Sequence, residues 1–170
     1  EHAPSVAASQ EYSFANIWFW DEEDQQLVRE EVAHAYFNEL MAMRKSEWAL
    51  RADPNIGKAI ALWIAAFFKA ESYGIQMPEY FGPNHADAMT YATTAGPEYL
   101  HQALERALNE ENDFVALGVV EALAANAGEK SLLYRIGTEQ PLVKALSYPD
   151  RAVRYSAAIA IGQAGPSSEF

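Results

Sequence analysis

The feature that most constrains this chain is a repeat within it. Setting "ALNEENDFVALGVVEALAANAG" (107–128) over "ALSYPDRAVRYSAAIAIGQAGP" (145–166), with an ungapped offset of 38, aligns Leu108 with Leu146, Val115 with Val153, Val120 with Ala158, Ala122 with Ala160 and Leu123 with Ile161. Self-similarity at this spacing points to stacked helical hairpins, each too small to bury its apolar face alone. The alanine content follows from the same idea. Ala157, Ala160 and Gly162 offer little to a private core, but they let neighbouring helices approach closely.

The remaining pattern reads as helix. From about Asp24, Val28, Val32, Ala35 with Tyr36, Leu40, Met43 and Leu50 recur every three or four residues, predicting a helix over 24–51 that Pro54 stops. The helix expected over 55–71 is apolar nearly all round, with Ile60, Trp63 and Phe67 on one side and Ala61, Leu62 and Ala65 on the other, so it should be central. Further helices are expected at 86–95, 97–109, 113–127, 139–147 and 150–163, with a short turn near 130–135 and boundaries at Gly96-Pro97, Gly128 and Gly137. No segment alternates like a strand, and the expected class is all-α. Residues 1–23 form an extended lead-in, 24–71 a helical hairpin, 72–85 a connecting loop and 86–170 the repeats, with units at about 97–128 and 138–165. Within the lead-in, "FANIWFW" (14–20) crowds Phe14, Trp18, Phe19 and Trp20 together, and these rings are expected to lie across a groove between helices.

Residues 142–165 resemble the HEAT-repeat family of armadillo-like helical superhelices. The resemblance rests on Ala145-Leu146, Asp150, Val153-Arg154, Ala157-Ala158 and Ala160-Ile161-Gly162; the unit at 98–128 is a weaker copy. It implies a right-handed superhelical stack of antiparallel hairpins. Arg154 falls where the family's arginine pairs with acidic turn residues of stacked repeats, but Ala116 holds that place in the earlier copy and Tyr148 replaces the commonest turn Asp. "SEWALRADPN" (46–55) resembles the end of a tetratricopeptide repeat.

Bulk chemistry narrows the function classes. With 12 Lys+Arg against 24 Asp+Glu, the net charge of −12 repels nucleic-acid phosphates. The acid concentrates early: residues 1–55 carry four basic against eleven acidic side chains, −7 of that total, which favours a basic partner there. Without cysteine, disulfides and thiolate metal sites are excluded. The most apolar run, 59–68, is far short of the ~20 residues that span a bilayer. The opening "EHAPSVAASQ" reads as the mature end left by signal-peptide removal or as a boundary within a longer chain, and favours an exported protein slightly over a cytoplasmic one.

Two Glu-x-x-His motifs, Glu31/His34 and Glu98/His101, have the spacing of di-iron carboxylate ligands on a helix face. No helix is expected before the first to supply a further Glu, and Glu98 suits a helix N-terminus, so capping and solvent exposure account for both. "DEED" (21–24) lacks the alternation of a calcium loop and reads as a helix start. No Gly-x-Ser-x-Gly elbow or phosphate-cradling glycine loop is present. No metal, cofactor or catalytic residue is therefore assigned. A binding surface is expected where the family's inner face is usually charged: Leu117, Glu121, Tyr155 and Ile159. Ending in "GPSSEF" without a capping helix, the chain reads as a piece of a longer HEAT-type protein. The expected function is a noncatalytic scaffold binding another protein or peptide. The resemblance also leaves open an enzyme subunit or cofactor-handling protein, as in the bilin-lyase branch, with the 72–85 loop forming a pocket.

Overall fold

The computed structural model describes residues 14–74, 86–126, 128 and 134–165. The first thirteen residues, most of the loop at 72–85, most of the turn near 130–135 and the last five residues, "PSSEF", lie outside them. The protein is mostly helical, with one small sheet. Two strands, β1 (Phe14–Asp21) and β2 (Gln26–Ala33), form an antiparallel hairpin. Helices follow as α1 (His34–Ala52), α2 (Gly57–Ser72), α3 (Ala88–Ala95), α4 (Pro97–Asn109), α5 (Asp113–Ala125), α6 (Pro141–Lys144), a 3-10 turn (Ala145–Ser147), and α7 (Arg151–Ala164). Among the described residues no helix is long and apolar enough to cross a membrane.

The hairpin corrects the expected helix over 24–51 and adds a two-stranded sheet to the expected helical class. Val28 and Val32 stand four apart, which suits a helix, but they also stand an even number apart and so share one face of a strand. In the structure Val32 is buried there with Ile17 of β1 and Leu40 of α1. The turn is locally encoded: Asp21 Oδ1 accepts hydrogen bonds from the backbone N–H of Glu23 (2.9 Å) and Asp24 (3.1 Å). "DEED" is thus a strand turn, not a helix start. The aromatic run is likewise a strand with Phe14, Trp18 and Trp20 on its exposed side, outside any groove between helices.

Helix boundaries otherwise follow the punctuation. α1 ends before Asp53 and Pro54, where Asp53 Oδ1 accepts from the N–H of Asn55 at 2.9 Å. Gly96, at φ +99°, leads into Pro97 at the first position of α4. The N-caps extend the repeat: Asn112 and Asp150, also 38 apart, each accept from the N–H three residues on, Val115 and Val153, at 3.0 Å.

Contacts between helices follow a regular order. α2 packs on α4 and α4 on α6, while α3 packs on α5 and α5 on α7. Polar ties run between the same elements: Lys144 Nζ donates to Asn109 Oδ1 (3.1 Å), and Asn126 Nδ2 donates to the Thr93 carbonyl (2.9 Å). Arg154 donates through Nη1 to the Tyr148 carbonyl (2.7 Å) and to that of Pro149, so it caps its own turn. Tyr148 supplies a link between units instead. Its hydroxyl pKa is pushed up to about 12 by burial, a hydrogen bond to Asp113 and the charge of that carboxylate.

α5 reaches the centre because Gly118 has no side chain. A Cβ there would lie 2.7 Å from the ring of Phe68, itself buried in α2. Replacing Gly118 by Ala should therefore cost about 1–3 kcal/mol through forced displacement of that ring, outweighing the gain in helix propensity. Urea unfolding of Gly118→Ala at or above wild-type stability would refute the close contact. Tyr148 adds a pH dependence. Its folded pKa is raised, so the stability it contributes is complete below the ordinary phenol value of 10.0 and lost as pH rises towards about 12. In Tyr148→Phe the fall in urea midpoint between about pH 9 and about pH 11.5 should be smaller than in the wild type; an equal fall would assign the alkaline loss elsewhere.

Candidate functional site

Tyr155 and Ile159 stand one helical turn apart on α7 and are 56% and 57% exposed. Leu117, on the neighbouring α5, is half-buried and packs against the core, and Glu121 is exposed one turn further along. Arg151 lies 5.0 Å from the centre of the Tyr155 ring, close enough for a cation–π contact. No acidic residue occurs anywhere in α7, although the chain as a whole is strongly acidic.

Comparison of the two copies shows which matched positions differ in exposure. Leu108, on the helix against which α6 packs, is 7% exposed, whereas its counterpart Leu146 is 39% exposed. Val120 is buried and its counterpart Ala158 is exposed. Other matched positions do not change, since Val115 with Val153 and Ala122 with Ala160 are buried in both copies. One side of α7, with Tyr155, Ala158, Ile159 and Gly162, thus forms an exposed apolar and small-residue strip at helical spacing.

Two concave features lie elsewhere. A cleft of about 50 Å³ between α1, α2, α4 and the start of α5 is lined by Asn38, Glu39, Lys69, Arg106, Glu110 and their neighbours. Glu39 is almost fully buried, and its Oε1 receives a 2.7 Å ion pair from Lys69 Nζ. Burial opposes the charge of Lys69, but the hydrogen bond and attraction of Glu39, aided by Tyr73 and Glu110, outweigh it and raise its pKa. Arg106 pairs with Glu110 at 2.6 Å on the same rim. A wider groove of about 550 Å³ runs between α2, α4 and residues 134–137, bordered by Lys58, Gln102, Glu105, Arg106 and Arg135.

The Glu-x-x-His motifs do not form a pair of helix-face ligand sets. Glu31 belongs to β2 and His34 opens α1, so a strand-to-helix junction separates them. His101 is not solvent-exposed as expected; it is fully buried in α4 and stacks on Tyr134 at 5.5 Å between ring centres, while Glu98 stays exposed in the first turn. Among the described residues, no group of three or more His, Asp or Glu is placed to hold a metal ion. Compared with protein-family models, with curated proteins and with solved structures, the chain matches none of them.

The buried pair yields a test of its own. Lys69→Met leaves the buried Glu39 carboxylate without its cation and, because the Lys69 ammonium is partly exposed and screened, should cost about 1–2 kcal/mol, whereas Glu39→Gln with Lys69→Met should recover most of that loss. Urea unfolding that finds the double variant no more stable than the single one would show that the charges are not coupled.

Proposed function

We propose that the chain is a noncatalytic helical-repeat scaffold of HEAT type, a right-handed superhelical stack of hairpins, that binds another protein or peptide. The ordered packing of α2, α4 and α6 on one side and α3, α5 and α7 on the other supports the stacked reading. So does the reuse of the same N-cap at Asn112 and Asp150. The binding surface is the strip of Tyr155 and Ile159 on α7, extended by Leu117 and rimmed by Glu121.

The single observation that carries this reading is the exposure of Tyr155 and Ile159 on a helix without a carboxylate. A large apolar side chain left in water forfeits about 1.5–3 kcal/mol of burial, so two of them one turn apart present a stabilisation that a partner's apolar segment can take up. Small neighbours at Ala158 and Gly162 would let that segment come close.

The test is capture from native extract by the wild-type chain and by Tyr155→Glu with Ile159→Glu. Both side chains are exposed, so helicity and unfolding midpoint should hold. A partner retained by the wild type should be reduced about tenfold or more in the variant, corresponding to loss of at least ~1.4 kcal/mol. Equal retention by both proteins would remove the assignment of this strip.

A further inference from the structure

The β-hairpin presents a second surface, unrelated to the α7 strip. Strand register sorts its side chains. Ile17 and Val32 turn inward to Leu40, while the cross-strand pairs Trp18 with Arg29 and Trp20 with Leu27 lie on the other face, as does Phe14. On that outer face Phe14 is 62%, Trp18 51%, Trp20 53% and Leu27 60% exposed. Single exposed apolar residues are commonplace, but three aromatics and a leucine sharing one face of a two-stranded ribbon form a patch.

Charge states what such a patch would accept. Residues 14–33 carry six acidic side chains against one basic, a net −5. The one cation, Arg29, lies on the outer face and is paired at 3.7 Å with Glu31. The turn beside Trp20 holds Asp21, Glu22, Glu23 and Asp24, and no cationic partner is present for any of them among the described residues. Trp18 and Trp20, two residues apart on one strand, are separated by about 6.8 Å, the spacing at which side chains repeat along one face of any extended chain. Indole faces attract Lys and Arg, and the neighbouring carboxylates add a longer-range pull.

We propose that this face docks an extended, Lys/Arg-rich segment of a partner protein, with apolar and cationic side chains of the segment packing across Trp18 and Trp20 and its charge drawn to the Asp21–Asp24 turn. An anionic lipid surface is repelled by the same carboxylates. A second copy of the chain would bring two net −5 hairpins together.

The experiment uses the full chain and fluorescence anisotropy of short labelled peptides in which Val alternates with Lys or, in a control, with Glu. The Lys peptide should bind at least about tenfold more tightly than the Glu peptide, and raising NaCl from about 50 to about 300 mM should weaken it several-fold, because the turn charges are exposed and screened. Trp18→Ala with Trp20→Ala should weaken binding about tenfold with circular dichroism and thermal midpoint preserved, since both rings are exposed and their removal takes away the cation–π contacts and the apolar area they offer. Glu22→Lys with Glu23→Lys, which leaves the aromatic face intact, should abolish the preference for the Lys peptide. Equal affinity for both peptides, or unchanged affinity in both variants, would overturn the proposal. So would a dimer in sedimentation that Trp18→Ala with Trp20→Ala disperses, or binding to phosphatidylserine vesicles with no preference between the peptides.

Discussion

The close approach of α5 to α2 at Gly118 and Phe68 is the contact on which the helical part depends. α5 packs on α2, α3, α4 and α7, so the distance at which it settles against α2 sets the positions of the rest. Nothing larger than hydrogen fits between Gly118 and the Phe68 ring without movement, and interiors packed at crystal-like density do not absorb such movement freely. Around that point α5 buries Val115, Ala116, Val119, Val120, Ala122 and Leu123, leaving mainly Phe114, Glu121 and its C-terminal end to solvent. A helix enclosed on so many sides has little room for large side chains. Its alanines and valines are the consequence of being surrounded.

That enclosure explains why the repeat was legible in the sequence. Positions enclosed in both copies carry residues of similar size, as Val115/Val153 and Ala122/Ala160 do, and the structure adds the caps Asn112 and Asp150 to the series. α2 was legible for a related reason, being apolar on nearly all sides. The hairpin was not. A strand advertises itself when one face is polar, and here the outer face of β1 carries Phe14, Trp18 and Trp20 while the inner face carries Ile17 and Phe19, so the period of two is lost. Val28 and Val32 then supplied a false helical signal. The expected helix over 139–147 also resolves into one turn of α-helix and a 3-10 turn; Pro141 starts it late, and it stops at Ser147 ahead of Tyr148-Pro149, as expected.

The candidate surfaces divide along the same line. Tyr155 and Ile159 were singled out because the resemblance to HEAT units sets them where that family's inner face is usually charged. Glu39 and Lys69 could not. They are 30 positions apart on different helices, and only the packing of α1 on α2 brings carboxylate and ammonium to 2.7 Å. His101 shows the opposite error, where a spacing compatible with a metal face concealed a packed residue stacked on Tyr134, a partner from beyond α5. Side-chain pairs that arise from long-range packing leave no local pattern to read.

Net charge ties the two proposed surfaces to different physics. Association at the α7 strip would remove apolar area from water without desolvating any carboxylate of that helix, so its free energy would come from burial and vary little with ionic strength. Association at the hairpin would gain much of its free energy from six carboxylates acting through solvent, a contribution that salt weakens and that a partner of the wrong sign turns into repulsion. In a chain of net charge −12, long-range attraction would reach cationic partners first, whereas a helix without acid, as α7 is, would suit a partner that brings no charge of its own. The concentration of acid in the first part of the chain and its absence from α7 therefore fit a division of labour in which one end selects by charge and the other by shape.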